Sequence, residues 1–202
     1  VVLFVDVVGS TALQVTVGDT AYDQLRRSLM LSLERTVDDG GTVIKTMGDG
    51  LMATFESAMA ALVAADRMLA VARDESRSSA TPEPIELRIG VTAGDVIRDG
   101  NDVHGTAVVE AARLCGAAAP SQILCSDVVA ALVRGFEDRV TLSPVGELEL
   151  KGLPRPVPAL ELEAVRSPRA ARPLPPELTR TGPFVGRQGE VSALQAAVTS
   201  AV

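Results

Sequence analysis

Two aspartates in this chain stand where a carboxylate invites chemistry. Asp6 ends the apolar run VVLFVD, and Asp49 lies in the turn MGDG between the stretches TVIKTM and LMATF. A carboxylate at the end of a buried strand is costly unless something satisfies it. If the hairpin lies beside the first strand, the two carboxylates face one spot. Such a pair suits magnesium or manganese, which bind through one or two carboxylates plus substrate phosphates. The turn VVGST leading into a helix offers backbone N–H groups at Gly9, Ser10 and Thr11 to an anion. A metal and an anion cradle together are the inventory of phosphoryl transfer. On pattern alone, Asp6 capping the next helix and Asp49 merely making a turn is an equally good account.

A second constellation is DVHGTAVVEAARL, from Asp102 to Leu114, which holds the only histidine, His104. Gly105 opens a short helix on which Val109 and Arg113, four residues apart, share a face. The stretch reads either as one wall of an active site or as a helix entering a core.

The elements that must position these residues follow from periodicity. VVLFVD has the pattern of a strand buried on both faces. GST can cap a helix, and Thr20 with Asp23 forms a second, capping-box-like start. From there Tyr22, Leu25, Leu29 and Leu33 mark one helix face, ended by DDGG. Asp49-Gly50 builds a hairpin turn. An alanine-rich helix covers 58–73, with Ala58, Ala61, Leu62, Ala65 and Leu69 on one side. ESRSSATPEP is a polar loop, and IELRIGV alternates as a strand with Ile85, Leu87, Ile89 and Val91 on one face. QILCS is a strand, DVVAALV a short helix, and GELELKG and ALELEAV are two late strands. Strands interleaved with helices, plus one hairpin, predict an α+β fold: a mixed sheet with helices mainly on one face.

Composition narrows the function. The chain has 202 residues, a hydrophobic fraction of 47% and a net charge of −7, so it reads as globular and acidic. Aromatics are 2% and tryptophan is absent, and no basic face is evident, which argues against nucleic acid as a direct partner. Cys115 and Cys125 with one histidine cannot build a four-ligand zinc site, and they read as semi-buried reduced thiols of a cytoplasmic protein. The apolar run AMAALVAADRMLAVA is interrupted by Asp66 and Arg67, so no membrane span is expected. The chain opens at Val1 without an initiator methionine and reads as a fragment. Residues 166–182, rich in proline and arginine, read as an interdomain linker.

Six segments, FVDVVGST, GGTVIKTMGDGLMATF, LRIGVTAGDV, DVHGTAVVEAARL, QILCS and VGELELKGLPRPV, together resemble the catalytic domain of class III nucleotidyl cyclases. They stand in the family's order across residues 1–165. The resemblance implies a ferredoxin-like βαββαβ palm core. It implies cyclisation of a nucleoside triphosphate by in-line attack of the ribose 3′-hydroxyl on the α-phosphate, with release of pyrophosphate. Asp6 and Asp49, with Val7, match the metal-binding set for two magnesium or manganese ions. Lys45 and Asp102 match the base-recognition pair of the adenylyl type, so ATP is the implied substrate. Arg113 matches an arginine that stabilises charge on the transferring phosphate, and Lys151 resembles a lysine that contacts the terminal phosphates.

The family's active sites form across a dimer interface. This chain carries both halves, so the resemblance implies a homodimer with two composite sites. One departure stands out: Val109 occupies the position of a ribose-orienting asparagine. Valine can neither donate nor accept a hydrogen bond, and losing one positioning donor costs on the order of a hundredfold in rate. The alternative is therefore a degenerate cyclase-like module that binds nucleotide or dimerises to regulate a following domain. His104, where the family often has an aromatic, reads as structural. Finally, PFVGRQGEVSALQAAV at 183–198 resembles the lead-in to the P-loop of AAA-type or STAND regulatory ATPases, although no Walker A motif occurs. The implied parent is a multidomain bacterial signalling protein with an ATPase domain downstream.

Overall fold

The computed structural model describes residues 1–38, 40–79, 81 and 83–166. The readings of 167–202 as linker and start of a following domain lie outside the described residues. In chain order the elements are β1 (Val2–Val7), α1 (Ser10–Val17), α2 (Asp19–Val37), β2 (Gly41–Met47), β3 (Gly50–Phe55), α3 (Ala58–Ser78) and β4 (Leu87–Thr92). Then come β5 (Ile97–Asp99), β6 (Asp102–His104), α4 (Thr106–Ala117), β7 (Ile123–Ser126), α5 (Asp127–Leu132), β8 (Val140–Leu148) and β9 (Val157–Val165).

Seven strands form one mixed sheet in the order β2-β3-β1-β4-β7-β9-β8, and β5 and β6 pair as a separate small hairpin. The first four strands lie in the order of a ferredoxin-like βαββαβ core, with β1 antiparallel to both β3 and β4. Only β4 and β7 run parallel, across the crossover that contains α4.

Strand alternation divides the side chains between two layers. Leu3, Val5 and Val7 of β1, Leu51, Ala53 and Phe55 of β3, and Leu87, Ile89 and Val91 of β4 form the main core with Leu29 and Leu33 of α2 and with α3. Val129 of α5 joins the same layer. The opposite face carries Val2 and Met52, covered by Ala107 and Ala111 of α4. Helices therefore lie mainly on one face, with α4 alone opposite. That helix comes unusually close: a Cβ on Gly90 would sit 2.2 Å from the Cys115 nitrogen and 2.3 Å from the Ala111 carbonyl oxygen. Only a residue without a side chain lets α4 lie there.

Several local expectations need correction. The helix after the first turn starts one residue before Thr20 and has Gly18 at its N-cap, with no side-chain cap. Asp23 is not a capping partner because Arg26 and Arg27 hold it at 3.0 and 2.7 Å. The hairpin loop is Gly48-Asp49, one residue earlier than expected, since Met47 already pairs with Gly50. Gly48 supplies the left-handed residue the turn needs, at φ 64°. Helix α3 begins as expected, with Ser57 accepting a hydrogen bond from the Ala60 N–H, but runs to Ser78 rather than 73. Its last turns have no buried face. Side-chain bonds hold them, including Arg77–Asp74 at 2.8 Å and Ser76 Oγ to the Ala72 carbonyl at 2.8 Å.

GELELKG is not a strand in its own right: β8 starts earlier and ends at Leu148, leaving Lys151 in the following loop. As the sheet's edge strand, β8 tolerates Pro144. The β5–β6 hairpin was not anticipated, although DGND is a turn signal.

Candidate active site

The site is built on the face of the sheet that α4 covers only in part. The hairpin does lie beside the first strand, with β3 paired to β1 from Val2↔Thr54 to Val5↔Leu51. Gly50 is packed so tightly there that a Cβ on it would fall 3.4 Å from the Asp6 Cα and 2.4 Å from the Val5 carbonyl oxygen. Asp49, the residue before, is thereby held next to Asp6, and each is half-buried. Tyr22, the chain's only tyrosine, reports the same proximity. Burial pushes its hydroxyl above the ordinary value, Asp49 pushes it further, a hydrogen bond with Ser10 and the charge of Arg26 pull it back, and Asp6 adds a smaller upward push.

Asp6 does not cap the next helix. Gly9 is the N-cap of α1, at φ 63°, with no side-chain cap. Asp6 instead faces Arg88, its direct cross-strand partner on β4. An Arg88 Nη2 donates to Asp6 Oδ2. Helix α1 starts immediately beyond, at Ser10 and Thr11, and its first-turn N–H groups have no intrahelical acceptors, as at any helix start.

Among the described residues no group of three or more His, Cys, Asp or Glu side chains could hold a metal. The candidate donors are therefore two carboxylates, Asp6 and Asp49, plus backbone. Val7 is buried, so only its carbonyl could contribute. An all-oxygen set with two carboxylates fits magnesium or manganese completed by water and substrate phosphates, and does not fit zinc.

The other pair comes together outright. Lys45 on β2 and Asp102 on β6 are 57 residues apart in sequence, and Lys45 Nζ donates to Asp102 Oδ1 at 2.8 Å and Oδ2 at 2.7 Å. The Val103 N–H also donates to Asp102 Oδ1 at 2.8 Å. The Lys45 bond and then the Val103 bond hold the Asp102 carboxyl below its ordinary value. The pair is a third or more exposed, at 39% and 37%, so a planar ligand can reach it from solvent. His104 is exposed at the end of β6, paired with Ile97 of β5, and its side chain has no hydrogen-bond partner among the described residues.

On α4, Val109 is 41% exposed and points away from the core, which its neighbour Val108 helps to pack. Arg113, one turn on, is exposed, and its side chain has no hydrogen-bond or ion-pair partner among the described residues. Lys151 is exposed in the loop after β8, at the edge of the sheet opposite β2. Its neighbour Leu150 packs with Leu114, which ties that loop to the Arg113 end of α4.

Sequence reasoning missed three residues here. Arg88 holds Asp6, Arg26 Nη1 donates to the Gly48 carbonyl at 3.2 Å and so grips the turn bearing Asp49, and Glu110 accepts a 2.6 Å hydrogen bond from buried Thr92. Only Arg88 had a usable signal, as a charge on the face of LRIGV opposite its apolar residues. The two cysteines are fully buried and free rather than semi-buried, and burial pushes each thiol up to about 12.

A seven-stranded α+β palm with paired carboxylates at the first strand and hairpin is the fold class of the nucleotidyl cyclases. Residues 1–163 match the adenylate and guanylate cyclase catalytic domain, and the chain belongs to that family. Among solved structures, the adenylyl cyclase CyaB from P. aeruginosa superposes with a TM-score of 0.68 at 25% identity, covering 82% of this chain and 93% of that one. An adenylate/guanylate cyclase/hydrolase from Silicibacter pomeroyi gives 0.65 at 28% identity, covering 80% and 94%. A curated relative, "Putative adenylate cyclase 3" of Rhizobium meliloti (strain 1021), is 32% identical over 117 residues, 58% of this chain. The chain spans only 20% of that relative's length. No helix among the described residues is long and apolar enough to cross a membrane.

Proposed function

We propose that the chain is an adenylyl cyclase that converts ATP to 3′,5′-cyclic AMP and pyrophosphate at composite sites in a homodimer. The observation that carries the adenine reading is the exposed Lys45–Asp102 pair. A lysine donates to an adenine ring nitrogen while an aspartate accepts from the exocyclic amine. Guanine offers a carbonyl and a ring N–H at those positions, the wrong complement for each partner.

The division of labour follows from placement. Asp6, Asp49 and the Val7 carbonyl would hold two magnesium or manganese ions. Ions bound there would lower the pKa of the ribose 3′-hydroxyl and neutralise charge on the departing phosphates. The Gly9–Thr11 turn cradles phosphate oxygens with backbone N–H groups. From the second subunit, Lys45 and Asp102 orient the base, Arg113 donates to the α-phosphate as charge develops there, and Lys151 meets the terminal phosphates. The 3′-oxygen–phosphorus bond forms, the bond to pyrophosphate breaks, and the hydroxyl proton leaves to solvent. Arg113 and Lys151 being exposed supports their use across an interface.

A second reading, a degenerate nucleotide-binding or dimerisation module, is favoured by Val109, which presents an apolar surface where a ribose needs a polar one. A cyclic AMP assay with ATP and manganese separates the two. Activity in the wild type that vanishes in Asp6→Ala supports the enzyme. Silence in the wild type with activity gained in Val109→Asn supports the degenerate module. No turnover in any variant, with ATP still bound, sinks the enzyme reading.

A further inference from the structure

Helix α4 carries Val109 and Arg113 outward, so its rotation about its own axis decides where both point. Its middle meets the sheet through Ala107 and Ala111, with Gly90 directly beneath. Such small side chains let the helix approach closely, yet they interlock too little to fix how it is rolled.

One side chain in that stretch is of another kind. Glu110, partly buried between Val109 and Ala111 in sequence, accepts the Thr92 hydroxyl at 2.6 Å. Thr92 is 1% exposed at the end of β4, and its hydroxyl lies 2.8 Å from that of Ser126, 0% exposed at the end of β7. A hydroxyl has one proton to give. Thr92 gives its own to Glu110, so Ser126 is the donor to Thr92, and the bonds run in one direction from β7 through β4 to α4. Ser126 stands at the N-cap of α5, yet its side chain makes no cap there. Both buried hydroxyls are committed to a chain that ends on Glu110.

A carboxylate is a costly choice at a partly buried helix position, where an apolar side chain packs without needing a partner. What it supplies is direction, since a hydrogen bond to a fixed hydroxyl constrains an angle as well as a distance. Glu110 lies one residue after Val109 and three before Arg113, so its bond sets the roll of the turn that carries them. A roll of about 10° moves a group about 6 Å from the helix axis by about 1 Å. Misplacement of that size can cost a reaction about a hundredfold.

We infer that Glu110 is a positioning residue for the proposed reaction: held by Thr92 and Ser126, it locks the roll of α4 and so aims Arg113 at the α-phosphate. The inference rests on the cyclase reading and on Arg113 acting in it.

The test is steady-state kinetics of cyclic AMP formation from ATP with manganese by the full chain, with melting temperatures as a check on folding. The variants are Glu110→Leu, Thr92→Val, their double variant and Glu110→Gln, each made in the wild type and in Val109→Asn. Glu110→Leu should lower kcat at least about tenfold with KM within about threefold, because an arginine acting on developing charge serves the transition state rather than binding. Thr92→Val breaks the same bond from the other side and should match it, and the double variant should be no slower than either single one. Glu110→Gln keeps an acceptor for Thr92 and should stay within about threefold of its parent. A merely structural role predicts lower melting temperatures with kcat per folded molecule unchanged, and that result overturns the inference. So does a Glu110→Gln variant as slow as Glu110→Leu, or a double variant slower than both singles. If Glu110→Leu fails to fold, Thr92→Val, which keeps the shape of the side chain, carries the test. Absence of turnover in both parents removes the cyclase reading and takes the inference with it. Turnover in a parent that neither Glu110→Leu nor Thr92→Val lowers removes the inference alone.

Discussion

The two ends of the candidate site are built on opposite plans. At the proposed metal end every group is held: Asp6 by Arg88, the Asp49 turn by Arg26, and Gly50 by direct contact with β1. On the outer face of α4, Val109 and Arg113 are exposed, and the Arg113 side chain has no partner among the described residues. A carboxylate pair repels itself and needs fixed counter-charges to stay in place. A lone arginine that acts on a developing negative charge needs a ligand, and a second subunit to bring that ligand to it. In the proposed composite site, the first half is complete within one chain, and the second is a surface that would act only on assembly.

The largest expected effect tests that division. Asp49→Ala and Arg113→Ala should each lower cyclic AMP formation by about a thousandfold. Mixed in equal amounts and allowed to exchange subunits, they should recover about a quarter of wild-type activity, since half the dimers are mixed and each has one intact site. No recovery on mixing, with subunit exchange verified, would sink the composite site.

Next in size is Gly90→Ala, whose new methyl group meets the α4 backbone at 2.2 Å. Denaturant unfolding should show a loss of about 3 kcal/mol. A near-neutral result would mean that α4 sits further from the sheet than described. Val109→Asn should raise turnover on the order of a hundredfold if ribose orientation is the missing element. Because the side chain is exposed, stability should stay within about 0.5 kcal/mol of wild type, measured on the same unfolding curves.

The smallest effect concerns pH. Lys45 and the Val103 N–H depress the Asp102 carboxyl, and a depressed carboxylate contributes stability above its unfolded value that is lost as pH falls through the folded one. The pair should therefore survive mild acid and open only below about pH 4. An NMR titration should place the Asp102 carboxyl below the ordinary aspartate range, and Lys45→Met should return it there. An unshifted wild-type value would show that the ion pair does not persist in solution.

How much of this could be read in advance differs from residue to residue. The two aspartates were legible because each breaks an apolar pattern at a strand end or turn, where an ionised group needs a reason. The Lys45–Asp102 pairing rested on resemblance, since no periodicity links residues on two strands of different sheets. Arg88 went unremarked because a charge on an alternating strand reads as solvent-facing. Its partner arrives only through the β1–β4 register. The Thr20–Asp23 start misled for a related reason: the spacing suits a capping box, but two arginines one turn further on compete for the same carboxylate.

The sequence by itself determined the main elements, the main core and the positions of the two carboxylates, because hydrophobic period and turn chemistry act over a few residues. Tertiary structure decided which charges neighbour which, that Val109 faces outward, and that α4 lies against Gly90. Those facts depend on strand register and on the approach of distant segments, which no local pattern encodes.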